Sequence, residues 1–166
     1  MSGAAAVPDA FRGFMGAYVT GVTVITSIDD NGRAHGLTCN SLTSVALDPP
    51  TLLVCLSLRS GTLTAIRQCG GFAVNVLHDG ARPTAQAFAS RDPDRFERTV
   101  WRHSERLRLP WLTADACALA ECEVTETVLV GDHVVVFGRV LHVESHPGSP
   151  LLYGGRRFLT NPEEAA

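Results

Sequence analysis

The sequence has little net charge, no long apolar run and no closely spaced cysteines. Its 166 residues carry a formal charge of −3 with a pI near 6.0, so no strong field attracts nucleic acid or an anionic membrane. No apolar stretch approaches the roughly 20 residues of a membrane-spanning helix. Residues 1–6 lack the basic start and apolar centre of a secretory signal. These absences predict a soluble, cytoplasmic protein without a nucleic-acid or membrane partner.

The cysteines are five in number and form no close pair: Cys39, Cys55, Cys69, Cys117 and Cys122. An odd number without close spacing argues against both a disulfide framework and a zinc cluster. Free cysteine packs as a small hydrophobe. The sequence therefore predicts buried, reduced thiols and no metal site.

Two nucleotide-binding signatures are also missing. No G-x-G-x-x-G follows a first strand, and no G-x-x-x-x-G-K-[ST] occurs anywhere. A dinucleotide bound by this chain would therefore not be held in the Rossmann or P-loop manner.

The pattern that is present indicates one domain of short strands with a few helices. A helix begins near Asp9, with Phe11, Phe14, Met15 and Tyr18 on one face. Further helices are predicted over 60–69 and 83–89, with one more turn at 92–96; strands are predicted over 22–28, 51–58, 72–77, 118–130 and 134–143. This order predicts an antiparallel β-barrel with peripheral helices over 9–158, flanked by tails at 1–8 and 159–166.

Residues 36–45 concentrate hydroxyl and amide side chains in a predicted strand and the loop after it. Thr38, Asn40 and Ser44 share one parity and Cys39 and Ser41 the other, so neither face of the strand is wholly apolar. Such groups cost roughly 1–3 kcal/mol each when buried without partners. They either face solvent at a strand edge or meet a polar ligand.

Two further segments allow both a structural and a ligand-binding interpretation. In 54–62 an apolar strand enters a loop that opens a helix, where Ser60 is either an ordinary N-cap or part of a phosphate site. Gly131, Asp132 and His133 form either a plain turn or a ligand contact. Tyr153 and the pair Arg156–Arg157 are unremarkable in isolation.

Taken in order along the chain, these segments resemble the flavin reductase-like family, the small reductase components of two-component flavin-dependent monooxygenases. The matching pieces are GVTVIT at 21–26, TCNS at 38–41, SV at 44–45, DPP at 48–50, CL at 55–56, FAVNVL at 72–77, FA at 88–89, DRF at 94–96, GDH at 131–133 and PLLY at 150–153. Single pieces are weak, but their ordered combination is specific and spans most of the chain.

The resemblance implies a split β-barrel of Greek-key-like topology that binds flavin and acts as a homodimer. By the same resemblance, the flavin is lined by Thr38, Asn40, Ser41 and Ser44, with Cys39 in the same segment, and Cys55, Ser57, Ser60 and Thr62 lie along it. Arg91 would be near the flavin phosphate. His133 would lie beside the nicotinamide, with Tyr153 nearby. Leu42 departs from the phenylalanine that the family often has, and no redox role is expected for Cys39 or Cys55.

The implied activity is hydride transfer from NADH or NADPH to FAD or FMN, with reduced flavin passing to a separate oxygenase. No second, strongly basic phosphate-binding site is apparent near Ser60, which favours FAD over FMN. NADH is favoured over NADPH, although Arg156–Arg157 could bind the 2′-phosphate of NADPH. Three alternatives stay open: a non-enzymatic flavin-binding protein on the same barrel, an oxidase of the pyridoxamine-phosphate type, and a purely structural barrel.

Overall fold

The computed structural model describes residues 6–159 and shows a mainly β protein with peripheral helices. The helices are α1 (Ala6–Gly16), α2 (Gly61–Cys69) and α3 (Arg82–Ala89), with a short 3-10 helix at Asp79–Ala81. The strands are β1 (Thr20–Gly21), β2 (Thr23–Ile28), β3 (Ala34–Cys39), β4 (Thr43–Leu47), β5 (Pro50–Ser57), β6 (Gly71–Leu77), β7 (Arg102–His103), β8 (Pro110–Trp111), β9 (Ala116–Val130), β10 (His133–Ser145), β11 (Leu152–Gly154) and β12 (Arg157–Leu159).

Seven of these strands form one antiparallel sheet in the order β3-β2-β6-β9-β10-β5-β4. A second sheet, β1-β11-β12, pairs the start of the sheet region with the end of the described chain. Strands β7 and β8 form a separate small ladder. The fold class is therefore mainly β, as predicted.

The seven-stranded sheet is strongly curled. Its two edge strands, β3 and β4, are separated in sequence only by residues 40–42. Four Cα steps span at most about 14 Å, whereas the edges of a flat seven-stranded sheet lie about 29 Å apart. No ladder joins β3 to β4 within residues 6–159. The predicted β-barrel is therefore not confirmed, because the sheet stays open between β3 and β4.

The main core lies on the concave side of this sheet. Ile25, Val54, Phe72, Cys122 and Val136 are all buried there, each from a different strand. Gly138 is required by this packing, because an added Cβ would lie 2.5 Å from the Phe72 ring. Burial, and to a lesser extent the neighbouring Glu121, raises the pKa of the Cys122 thiol to about 12, so this group is a neutral core side chain.

Three sequence predictions about local structure need correction. Helix α1 begins at Ala6 and not near Asp9, because Pro8 is tolerated in the first turn of a helix. Residues 92–96 form turns and no helix. Cys69 is exposed, although Cys39, Cys117 and Cys122 are buried and all five cysteines are free.

The other element predictions are confirmed to within a few residues. The predicted tails lie mostly outside the described residues, although 6–8 belong to α1 and Leu159 ends β12. The predicted apolar face is present in part and points outward, since Phe11 and Phe14 on α1 are more than half exposed. Tyr18, predicted on the same helical face, lies beyond the end of α1 at Gly16. In the part of the chain that is described, no helix is both long and apolar enough to cross a membrane.

Candidate functional site

A cleft of about 810 Å³ opens between the end of β3, helix α3 and the β11–β12 hairpin. Its volume is within the roughly 300–1,000 Å³ common for small-molecule and cofactor sites. The residues that line it are Val22, Thr38, Cys39, Asn40, Arg82, Ala85, Gln86, Ala89, Ser90, Tyr153, Arg156, Arg157 and Phe158. This one cleft is therefore lined by four of the predicted site residues: Thr38, Cys39, Asn40 and Tyr153.

A second cleft of about 610 Å³ adjoins the first and runs along the end of α1. Asn40, Tyr153 and Arg156 line both clefts. Tyr153 is held there by pairing with Thr20 in the small sheet and by an edge-on contact with Phe158, at 5.4 Å between ring centroids. These three side chains form the boundary at which ligands in the two clefts would meet.

The end of β3 is fixed by hydrogen bonds that use its own polar groups. The Thr38 hydroxyl donates to the Ala85 carbonyl at 2.6 Å, which attaches α3 to the strand. The Thr23 hydroxyl donates to the Cys39 carbonyl, also at 2.6 Å. Burial raises the pKa of the Cys39 thiol despite hydrogen bonds from Ser41. Cys39 is therefore a neutral thiol at the cleft wall at neutral pH.

Ser41 connects the cleft wall to β5. Its hydroxyl donates to the Cys55 carbonyl at 3.2 Å and accepts from the Cys55 N–H at 2.9 Å. The Cys39 sulfur lies 2.9 Å from the same oxygen. Cys39 and Ser41 were predicted in one segment and Cys55 in another, and the Ser41 hydroxyl brings the two segments together by linking the end of β3 to β5.

His133 stands at the exposed tip of the β9–β10 hairpin. Its strand neighbour across the ladder is Ser57, two residues beyond Cys55 on β5. Its Nδ1 lies 2.7 Å from the Asp132 carboxylate, and this hydrogen bond is the main reason that the pKa of Asp132 is lowered. An ionised carboxylate only accepts, so Nδ1 carries the proton and Nε2 of the neutral ring is an acceptor.

The Gly131–Asp132 turn itself has a local cause. Gly131 has a φ of 58°, and Val130 pairs with His133 across a two-residue connection. Glycine at the first position of such a loop suits a type II′ turn. The turn interpretation of this segment is therefore correct, and it places His133 at the first position of β10.

Ser60 is the N-cap of α2, as one of the two sequence interpretations predicted. Its hydroxyl accepts from the Leu63 N–H at 3.3 Å, and Gly70 ends the helix in the left-handed conformation. Thr62 is 3% exposed. The Ser60 hydroxyl is therefore engaged in the helix cap, and Thr62 belongs to the packing of α2 against the sheet.

Of the twelve predicted site residues, only Thr38, Cys39, Asn40 and Tyr153 line a cleft. Ser44 and Arg91 are among the eight that do not. Ser44 is exposed on β4, where it pairs with Leu52. Arg91 is exposed in the turns that follow α3, next to the cleft residue Ser90. The arrangement thus consists of the cleft wall at 38–40, the Ser41–Cys55 bridge, and the Ser57–His133 pair at the strand ends.

Sequence reasoning missed the contributions of α3. Arg82 and Gln86 line the first cleft from this helix. The pattern predicted the helix, but its short sequence gives no indication of which face meets β3. The Thr38–Ala85 hydrogen bond attaches α3 to β3, and Arg82, one helical turn before Ala85, lines the cleft in that arrangement.

A cluster outside the clefts contains side chains of the types that coordinate metal ions. Glu105, His142 and Glu144 place ligand atoms within 4.8 Å of one another. The Arg102 guanidinium contacts both oxygens of Glu144, at 2.6 and 2.8 Å, and with His142 and His146 it lowers the pKa of that carboxyl. Glu144 is thus already neutralised by a cation, which makes the cluster an ion-pair network.

Comparison with known proteins identifies the family. The family described as "Flavin reductase like domain" matches residues 15–161. The chain is 51% identical over 147 residues to the flavin reductase (NADPH) of Lentzea aerocolonigenes, covering 89% of this chain and 86% of that protein. It is 40% identical over 147 residues to the reductase subunit HsaB of a flavin-dependent monooxygenase from Rhodococcus jostii (strain RHA1), covering 88% and 74%.

A solved structure agrees with the sequence comparisons. The NADH:FAD oxidoreductase SgcE6 of Streptomyces globisporus C-1027, in complex with NAD and FAD fragments, matches with a TM-score of 0.87 and 31% identity, covering 96% of this chain and 95% of that one. The chain belongs to the flavin reductase-like family.

Proposed function

We propose that this chain is an NAD(P)H-dependent flavin reductase, which transfers a hydride from NADH or NADPH to FAD or FMN. The observation that carries this proposal is the family match across residues 15–161, joined to a cleft of suitable volume at the predicted flavin segment. The relatives support it, since they are named as a flavin reductase using NADPH and an NADH:FAD oxidoreductase.

The clefts fit a flavin by volume and by chemistry. The exposed Asn40 amide offers donors and acceptors for a polar ring edge, and Arg82, Arg156 and Arg157 offer donors for phosphate oxygens. When bound, flavin and nicotinamide supply the redox chemistry, and the protein supplies binding and orientation. Because the redox chemistry resides in the two cofactors, hydride transfer needs no nucleophile–base pair from the chain.

Each predicted site residue has a proposed part in this task. Thr38, Cys39, Asn40 and Tyr153 hold the flavin in the first cleft, while Ser41 positions the cleft wall through Cys55. His133 binds the nicotinamide, with Ser57 beside it, and Asp132 keeps the proton on Nδ1 so that Nε2 can accept from the carboxamide. Ser44 and Arg91 are exposed outside the clefts and are proposed at the flavin periphery. Ser60 caps α2 and Thr62 is buried, so their proposed part is to position α2 and not to contact the flavin.

The proposal also covers the fold, a split barrel, and the assembly, a homodimer. The curled sheet is a split barrel whose seam is bridged by the Ser41 side chain. A homodimer is supported by exposed apolar residues on β4 and at the end of β9, including Val45, Leu47 and Leu129. Such side chains are commonly covered by a partner.

A separate oxygenase is the proposed recipient of reduced flavin. The Rhodococcus jostii relative is named as the reductase subunit of a flavin-dependent monooxygenase. The described residues form the curled sheet, two smaller sheets and the peripheral helices, which is consistent with hydroxylation on another chain. A cytoplasmic location is proposed because all five cysteines are free.

The test is consumption of NADH and of NADPH under air with FAD, FMN or no added flavin. We expect oxidation that requires both the protein and a flavin, with the faster nicotinamide and flavin identifying the preferred pair. Tight flavin binding without consumption of either nicotinamide would instead support a non-enzymatic flavin-binding protein.

A further inference from the structure

Three arginines face the first cleft without an anionic partner. Arg82, Arg156 and Arg157 line it, and its lining contains no Asp or Glu. Within residues 6–159, none of the three takes part in an ion pair, whereas Arg12, not a lining residue of this cleft, pairs with Asp9 at 2.9 Å. Grouping like charges destabilises a folded chain. A cleft that brings three positive charges together without a negative partner is suited to binding an anion.

The surrounding structure positions the Arg82 guanidinium and the hairpin that carries the other two arginines. Arg82 lies at the start of α3 with its guanidinium 5.3 Å from the centre of the Phe158 ring, a distance that permits cation–π attraction. The hairpin that carries the other two is attached to α1, because the Gly155 N–H donates to the Gly16 carbonyl at 2.7 Å. The structure therefore fixes the position of the Arg82 side chain and of the backbone from which Arg156 and Arg157 extend.

The backbone at Arg156 gives a second, independent observation. Gly154 pairs with Arg157, so Gly155 and Arg156 form a two-residue turn with φ values of 56° and 62°. Turns with positive φ at both positions favour glycine or asparagine. Arginine at this position costs free energy that glycine would avoid. The side chain that occupies this position lines both clefts.

We propose that Arg82, Arg156 and Arg157 bind the phosphate monoester of a nucleotide substrate. This inference rests on the proposed function and names the substrate group that the site takes. A phosphate monoester carries close to two negative charges at neutral pH, and guanidinium groups bind its oxygens in pairs. Two substrates of a flavin reductase carry such a group: NADPH on its adenosine ribose, and FMN on its ribityl chain.

The test compares ligands that differ only by this phosphate. Equilibrium dissociation constants are measured by calorimetry for NADP⁺ against NAD⁺, and for FMN against riboflavin, so that no turnover interferes. The variant is Arg156→Gly, which removes the guanidinium and relieves the backbone at the same position. Arg67→Ala is the matched control, because Arg67 is an exposed arginine in the last turn of α2 and does not line either cleft.

We expect Arg156→Gly to reduce one of the two affinity ratios by about tenfold or more, as the loss of charge-assisted hydrogen bonds does. Arg82→Ala should reduce the same ratio, Arg67→Ala neither, and the thermal midpoint of Arg156→Gly should not fall. A change in the NADP⁺ ratio identifies the 2′-phosphate, and a change in the FMN ratio identifies the flavin phosphate. Unchanged ratios for both pairs overturn the inference.

The same proteins separate this inference from the proposed function. If the wild-type protein reduces flavin but Arg156→Gly leaves both ratios unchanged, the phosphate site is wrong and the reductase stands. If the wild-type protein shows a phosphate-dependent ratio that Arg156→Gly removes, yet reduces no flavin, the phosphate site stands and the reductase assignment fails.

Discussion

Single side chains in this site divide into those used by the fold and those presented to ligands. The hydroxyls of Thr38, Ser41 and Ser60 are bound to Ala85, Cys55 and Leu63. Asn40 and His133 are exposed at the ends of their strands. The polar residues of the signature therefore have two functions: some fix the walls, and others contact what the walls enclose.

His133→Ala is the residue-scale prediction. We expect the KM for the nicotinamide to rise about tenfold, since one ligand hydrogen bond is lost, while the Kd for flavin changes much less. Steady-state kinetics at saturating flavin and a flavin titration measure the two quantities. His146→Ala, past the opposite end of β10, is the control and should leave both unchanged. An unaltered KM with weakened flavin binding would contradict the role given to His133.

At the scale of elements, the buried carboxylate of Glu121 attaches a long loop to the sheet. Glu121 on β9 is fully buried and accepts hydrogen bonds from the Ser104 hydroxyl and from the N–H groups of Arg106 and Leu107. The loop that carries Leu109 and leads into Trp111 is thereby closed over β6 and β9. This anchor is remote from both clefts and concerns folding.

Glu121→Ala is expected to lower the free energy of unfolding by roughly 3 kcal/mol or more, because it leaves several donors unpaired near the core. Urea unfolding followed by tryptophan fluorescence measures this loss. Glu123→Ala is a matched control on the same strand, since Glu123 pairs with Arg139 at an exposed site, and surface ion pairs contribute at most about 1 kcal/mol. Equal losses for the two variants would refute the anchoring role.

The elements were the part of the fold that sequence predicted best. Ser60 and Gly70 delimit α2, and Gly131 marks the β9–β10 turn, because caps and tight turns depend on local chemistry. Glu121 escaped notice, since nothing local distinguishes a buried glutamate from one facing solvent. The resemblance predicted Asn40 at the flavin and Tyr153 near His133, and the structure places Asn40 and Tyr153 at one cleft. The position of Arg82 depends on how α3 packs, which is a long-range property.

At the scale of the whole molecule, the curl of the sheet brings distant parts of the signature together. Cys39 lies on the edge strand β3 and Cys55 on β5, the strand next to the opposite edge, yet both contact Ser41. The outer surface of the same region exposes Leu47, which is 89% accessible. A curled sheet with an apolar edge is consistent with the proposed homodimer.

Leu47→Glu tests that assembly. A charge at a buried apolar contact between subunits is costly, so we expect the variant to sediment as a monomer at concentrations where the wild-type protein is a dimer. Val100→Glu is the control, because Val100 is also exposed, at 65%, but belongs to a different surface. A wild-type protein that is monomeric throughout would contradict the homodimer.

The most direct test of the central claim is a single-turnover reaction without oxygen. The protein with bound FAD or FMN is mixed rapidly with NADH or NADPH, and the absorption of oxidised flavin is followed. The account predicts protein-dependent bleaching that slows when the transferred hydrogen of the nicotinamide is replaced by deuterium, because hydride transfer breaks that bond. Flavin that binds but is not bleached by either nicotinamide would contradict the assignment as a reductase.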